Sequence, residues 1–299
     1  MAERFSCARN SWRLQEPLLG TASRVRRWVL VEQPGSWGYD ALVDSALPSG
    51  VGAELRRRCQ EVRARPLMIR RCGGLDEGVR RVFVASSAPG ASWLERVVLD
   101  DAADVLDLDL GPLAGDEGVG GEPVESSLLL TCTNGSHDAC CAEFGRTVAA
   151  ALDDWMGDRA WECSHMGGDR FAANVLALPT GLYYGRVTPE SAVGIARLDD
   201  AGQVSLPHYR GRSVWPIEVQ AAETLLRLHL GVDGIEQVRP LRPTALDAGG
   251  VAVELEVGEE RWRVELEVTA EPRPQLLTCS ASEPGRPPRY QTREIRRIS

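Results

Sequence analysis

An α/β fold closed by an antiparallel β element is predicted from three observations on this sequence. Short apolar runs flank a segment of helical period in the first third, the same order recurs in the middle third, and two runs of strict apolar–polar alternation follow near the end.

In the first third, Trp28-Val29-Leu30-Val31 reads as a buried strand and Gln33-Pro34-Gly35-Ser36 as the turn after it. Val51 to Arg65 carries helical periodicity through Val51, Leu55, Cys59 and Val62, with Pro66 as its stop. Leu67-Met68-Ile69 and Val82-Phe83-Val84 are further strands, and the glycine-rich, acidic stretch from Gly111 to Pro123 reads as a linker. Leu128 to Thr131 then forms a strand running straight into Cys132, and Cys141 opens a helix in which Phe144, Val148, Leu152 and Trp155 recur at helical spacing. Phe171 to Leu178 and Leu182 to Val187 pair about the turn Pro179-Thr180-Gly181. Thr188 and Pro189 supply an N-cap and a first helical proline for a short helix through Ile195. Strand, helix, hairpin, helix is the thioredoxin-like order. Its likeness to the first third predicts a structural duplication, a second thioredoxin-like half at the N-terminus that lacks matching cysteines. Last come a helix from Pro216 to Leu230 and the alternating runs Val251–Val257 and Trp262–Val268, an antiparallel hairpin with one wet face. The expected division is residues 1–122, 123–238 and 239–299.

Composition narrows the function. The chain has 299 residues, 43% of them hydrophobic and 26% charged, an ordinary globular balance with room for one large domain or two. No apolar run approaches the roughly 20 residues that span a bilayer. The charged, polar start MAERFSCARNSW has no secretory apolar stretch, so a cytoplasmic protein without a membrane segment is expected. A net charge of −9 argues against nucleic acid as a partner. All 34 basic residues are Arg, which removes lysine-based Schiff-base and P-loop chemistry. The runs Arg56–Arg58, Arg70-Arg71 and Arg296-Arg297 read as solvated faces, one of them a possible dock for an acidic electron-transfer partner.

Eight cysteines in a cytoplasmic chain point to ligands or reactive thiols rather than disulfides. Cys132, Cys140, Cys141 and Cys163 cluster, whereas Cys7, Cys59, Cys72 and Cys279 are scattered and read as structural. A cysteine ending a strand and another opening a helix stand on rigid supports on either side of a loop. The helix N-terminus lowers thiol pKa and favours an anionic centre. His165 and Asp169 flank Gly167-Gly168, where the backbone can turn sharply and approach a ligand. Two thiolates with an imidazole suit either zinc or a [2Fe–2S] centre. Cys140 and Cys163 read as small buried hydrophobes, His137 as a solvent-exposed or outer donor, and Asn174 as a loop anchor.

CTNGSHDACC (Cys132 to Cys141), CSHMGGDRFAANV (Cys163 to Val175), and the earlier EPLLGTA and VLVEQPGSWG resemble the sucrase/ferredoxin-like family, thioredoxin-like ferredoxins, over most of the chain up to about Val238. The resemblance implies a thioredoxin-like ferredoxin domain with a [2Fe–2S] cluster held by two cysteines and two histidines. Carried over, Cys132 and Cys141 are the thiolate ligands and His165 the first imidazole. The second histidine falls on Asp169, so the fourth ligand is Asp169 itself, Cys140 or Cys163. The implied role is electron transfer or redox sensing with a redox partner protein. The alternatives are a thioredoxin-like thiol–disulfide oxidoreductase, with Cys132 attacking and Cys140 or Cys141 resolving, and a zinc-stabilised binding module. Sucrose hydrolysis would need two carboxylates about 5 to 9 Å apart; among 43 acidic residues some pair always qualifies, so composition lends that activity no support.

Overall fold

The computed structural model describes residues 4–72 and 78–299. The chain opens with a short helix α1 (Cys7–Arg13), then strand β1 (Arg27–Glu32), helices α2 (Ala41–Asp44) and α3 (Val51–Glu61), and strands β2 (Ala64–Arg70), β3 (Arg80–Ser86) and β4 (Trp93–Leu99). A short edge strand β5 (Glu122–Pro123) precedes β6 (Leu128–Cys132), α4 (Ala139–Met156), β7 (Ala160–Cys163), β8 (Val175–Leu178), β9 (Leu182–Tyr184), α5 (Pro189–Asp200), β10 (Tyr209–Arg212) and α6 (Ile217–Leu230). Strands β11 (Val238–Ala245), β12 (Gly250–Val257), β13 (Glu260–Ala270) and β14 (Pro288–Arg297) complete it.

The result is a mixed α/β architecture with a ten-stranded sheet, order β10-β9-β8-β6-β7-β2-β1-β3-β4-β5, and a separate four-stranded antiparallel sheet, β11-β12-β13-β14. Within the large sheet one pairing pattern occurs twice. Strand β1 runs parallel to β2 across α3 and antiparallel to β3, which forms a hairpin with β4. Strand β6 runs parallel to β7 across α4 and antiparallel to β8, which forms a hairpin with β9. The two units join where β2 and β7 pair antiparallel, Ile69 opposite Cys163 and Arg70 opposite Glu162.

Strand period explains how one sheet is buried on both faces. Trp28, Leu30, Leu128 and Leu130 point to one face, sharing a core with Cys132, Cys163 and Met166. Their neighbours point to the other, Val29 and Val31 under α3 and Leu129 under α4 and α5. Helix α6 lays Val219, Ala222 and Leu226 on Val253, Leu255, Val264 and Leu266 of the small sheet, so the expected terminal hairpin is the centre of four strands.

Several boundaries differ from the sequence reading. Helix α3 stops at Glu61 rather than Arg65, because Arg63 takes a left-handed conformation (φ 53°) and β2 starts at Ala64. Pro66 lies within β2; strand β7 reaches β2 only at Ile69 and Arg70, so its missing N–H breaks no ladder on that side. The stretch read as a linker contains a 3-10 turn, Gly111–Gly115, with Leu113 fully buried, and its end forms β5. Trp155 is 48% exposed, lying under Arg197, while Met156 at i+4 from Leu152 continues the apolar stripe. Strand β7 was not anticipated, since four residues containing Glu162 show no period. The arginine runs are only partly solvated faces. Arg58 donates to the carbonyls of Leu106 and Leu108, Arg70 pairs with Glu162 at 2.6 Å over the Trp37 ring, and Arg71 bonds the Gly157 carbonyl.

One buried carboxyl makes a testable difference to stability. Asp199, in the last turn of α5, is 8% exposed, and its Oδ1 has no hydrogen-bond partner. Burial pushes its pKa up to about 6. A folded pKa above the unfolded value favours the protonated form, so this group's contribution is present below pH 4 and is lost as pH rises through about 6. Asp199→Asn is therefore expected to stabilise the fold at pH 8 by roughly 2 kcal/mol and to change little at pH 4. Urea melts at both pH values check this; equal effects at the two would count against it.

Candidate metal centre

Cys132 is the last residue of β6, on the same strand face as Leu128 and Leu130, and Cys141 is in the first turn of α4. Asp138 caps that helix, its side chain accepting from the Cys140 N–H at 2.9 Å. The loop after β7 supplies His165 and Asp169. It turns through Gly167 (φ 102°) and Gly168 (φ 86°), where a side chain would also collide with Ser23 and with the Arg210 guanidinium. Asn174 anchors the loop by donating to the Gly168 carbonyl at 2.9 Å, and its own carbonyl accepts from the Cys132 N–H at 3.1 Å. Arg210, 1% exposed, donates to the Gly167 carbonyl and to Asn174 Oδ1, and Arg65 donates to the His165 carbonyl.

These supports bring the four predicted residues together. Donor atoms of Cys132, Cys141 and His165 all lie within 4.8 Å of one another, as do those of His137, His165 and Asp169. Cys141 Sγ donates to Asp169 Oδ1 at 3.3 Å. His165 Nδ1 stands 2.9 Å from the same oxygen but off the line of a hydrogen bond, and is otherwise buried without a partner. The two thiols titrate as a pair. The Cys141 thiol beside it holds Cys132 down at about 5 against the cost of burial, and the Cys132 anion pushes Cys141 up. Burial opposes charge on His165, yet Asp169 and the Cys132 thiolate outweigh it and raise the imidazole to about 9. Burial would also raise Asp169, but His165 overrides it and lowers the carboxyl.

The interior side is closed, with Cys132 and Cys141 each 1% exposed. The outer side opens through His165 into a cavity of about 220 Å³ lined by Tyr39, Arg65, Asn134 and His137, so both repeated units contribute walls. His137 stacks on His165 with ring centroids 3.7 Å apart, and Tyr39 stacks on His137 at 4.6 Å.

A sequence model described as sucrase/ferredoxin-like matches residues 18–211. The chain belongs to this family. All four predicted site residues lie inside the sucrase/ferredoxin-like span, and so do His137, Asn174 and Arg210. No curated protein and no solved structure matches the chain.

Of the other candidates for the fourth position, Cys163 is fully buried in the core outside the converging donors, its thiol pushed well up by burial. Cys140 faces away from Cys141, its sulfur 3.4 Å from that of Cys279 and 3.7 Å from that of Cys7. Cys140 is buried among Cys7, Ala8 and Ala172, as its reading as a small hydrophobe has it, but the fold also gathers the scattered Cys7 and Cys279 around it; Cys59, on α3, packs in the core. His137 is nearer the centre than the sequence reading put it, and its place in the loop between two candidate ligands was the available signal. Arg210 carried no such signal, because its strand lies far along the chain.

Proposed function

We propose that the protein transfers or senses electrons one at a time through a [2Fe–2S] cluster held by Cys132, Cys141, His165 and Asp169. The observation that carries this reading is the convergence of two thiols and an imidazole from a strand end, a helix start and a glycine loop, all within 4.8 Å and inside the ferredoxin-like span. The donors suit the cluster chemically. Soft thiolates and the Asp169 oxygen stand on the buried side, while the imidazole of His165 stands on the outer side. His165 Nδ1 stands among these donors, 2.9 Å from Asp169 Oδ1, and a metal binding there would displace the proton that Asp169 and Cys132 favour on the ring.

Bound there, the cluster supplies one-electron transfer. The α4 N-terminus favours negative charge beside Cys141. Burial of both sulfurs keeps bulk thiols and disulfides away, which disfavours thiol–disulfide exchange. Tyr39, 58% exposed and stacked through His137 onto His165, marks the edge where a redox partner protein would meet the centre. The order β6, α4, β7, β8, β9, α5 is read as thioredoxin-like in this proposal.

Anaerobic ultraviolet–visible and EPR spectra, with iron, sulfide and zinc analysis, test it. The expected result is visible charge-transfer absorption, about two irons and two sulfides per chain, and an EPR signal on reduction. A colourless, iron-free protein after anaerobic reconstitution would overturn the cluster and move the centre to zinc or thiol chemistry.

A further inference from the structure

We propose that the chain holds a second metal, a structural zinc(II) ion bound by the thiolates of Cys7, Cys140 and Cys279 with the Asp138 carboxylate. All three cysteines are free. Their sulfurs form a triangle with sides of 3.7 Å (Cys7 to Cys140), 3.4 Å (Cys140 to Cys279) and 3.6 Å (Cys279 to Cys7). Tetrahedral zinc with Zn–S bonds of about 2.3 Å separates its sulfurs by about 3.8 Å. The Asp138 oxygens lie 3.8 and 3.7 Å from Cys7 Sγ. A sulfur and an oxygen on one tetrahedral zinc stand about 3.5 Å apart. The four donors thus form one compact group sized for a single ion, all within 4.8 Å.

The surroundings are those of a closed structural site. Cys7 and Cys140 are 1% exposed and Asp138 3%, with Cys279 the partly open side. Backbone N–H groups of Cys140 and Cys279 donate to the Asp138 carboxylate at 2.9 and 2.7 Å, fixing its orientation as outer partners of a metal ligand do. Sulfur-rich tetrahedral donors with no vacant position select zinc.

The ligands come from three remote places: α1, the start of α4, and the 271–287 connection between β13 and β14. That connection is long and has no helix or strand beyond the isolated bridge of Gln275 with Gly285, and Gln275 already accepts from Asn10 of α1. A zinc ion would pin it and α1 to the large sheet. Helix α1 packs on the Asp169–Phe171 turn, so the same ion braces the loop of the first centre. Cys7 and Cys279 both lie outside residues 18–211, so the site draws on residues beyond the matched span.

Metal analysis of the 299-residue chain tests this independently of the cluster. About one zinc per chain is expected in both wild type and Cys132→Ser, and loss of it in Cys7→Ser and Cys279→Ser. Because those two variants can misfold, cobalt(II) is also titrated into metal-stripped Cys132→Ser protein. A stoichiometric thiolate-to-cobalt charge-transfer band, weakened in Asp138→Asn, is the expected result. Zinc absent from wild type together with no cobalt–thiolate band would overturn the site. So would zinc that follows Cys132 rather than Cys7 and Cys279, or a disulfide between two of the three cysteines in anaerobically purified protein.

Discussion

Cys132→Ser is expected to abolish iron retention at the first centre, with visible absorption falling to under about a tenth of wild type while the fold survives. The thiol of Cys132 is held as an anion at about 5 by the Cys141 thiol, against the cost of burial, with His165 as its other neighbour. A serine hydroxyl in the same place stays protonated and is a harder donor, so the centre loses a soft anionic ligand and keeps one thiol. The strand itself is sustained by Leu128, Leu129 and Leu130, all essentially buried, and by pairing with β7 and β8. Loss of stability in the metal-free state should therefore stay near 1 kcal/mol. Cys163→Ser is the matched control. It sits opposite Cys132 in the β6–β7 register and is equally buried, but lies outside the converging donors. It should cost similar stability and leave the iron content unchanged. Iron retained by Cys132→Ser, or lost equally from both variants, would remove Cys132 from the ligand set.

Arg210→Met is expected to cost about 3 to 5 kcal/mol and to free the loop from Met166 to Asn174. The guanidinium is 1% exposed and donates to Thr21 Oγ1 at 3.1 Å, to the Thr21 carbonyl, to the Gly167 carbonyl at 3.1 Å and to Asn174 Oδ1 at 2.8 Å. It also lies against the rings of Phe171 and Tyr183. Burial lowers its pKa to about 10, so it is still charged at neutral pH. Methionine keeps the volume and ring contacts but leaves these buried acceptors without a donor. Denaturant melts measure the loss, and hydrogen exchange of residues 166–174 locates it. A variant within 1 kcal/mol of wild type with that loop still protected would show that the backbone holds the loop unaided. Arg210→Lys, which keeps the charge but reaches fewer acceptors, should recover part of the stability.

Much of the candidate centre was legible because each candidate ligand is announced locally. Leu128 to Thr131 read as a strand without help from the rest of the chain, which put Cys132 at its end; the period of Phe144, Val148 and Leu152 put Cys141 at a helix start. Paired glycines between His165 and Asp169 signalled a sharp turn, and both adopt positive φ. Boundaries were less legible where a local signal had two meanings. Pro66 stops a helix or sits on an unpaired strand side, and only the reach of β7 decides which.

The α/β class, strands β1–β3, β6, β8, β9, β12 and β13 with the longer helices, the family resemblance, and the thiol, imidazole and carboxylate donors between Cys132 and Asp169 are legible in the sequence. These are short-range properties, fixed by side-chain period, caps and turns acting over a few residues. Only the tertiary structure decided that the repeated units share one sheet, that Arg210 buttresses the loop, and that His137 stacks on His165. It alone brought Cys7 to Cys140 across 133 residues and to Cys279 across 272. Contacts at such separations depend on strand order and on which faces are buried together. Neither leaves a periodic trace around a single cysteine, so the same residue type reads as packing in the chain and as part of a site in the fold.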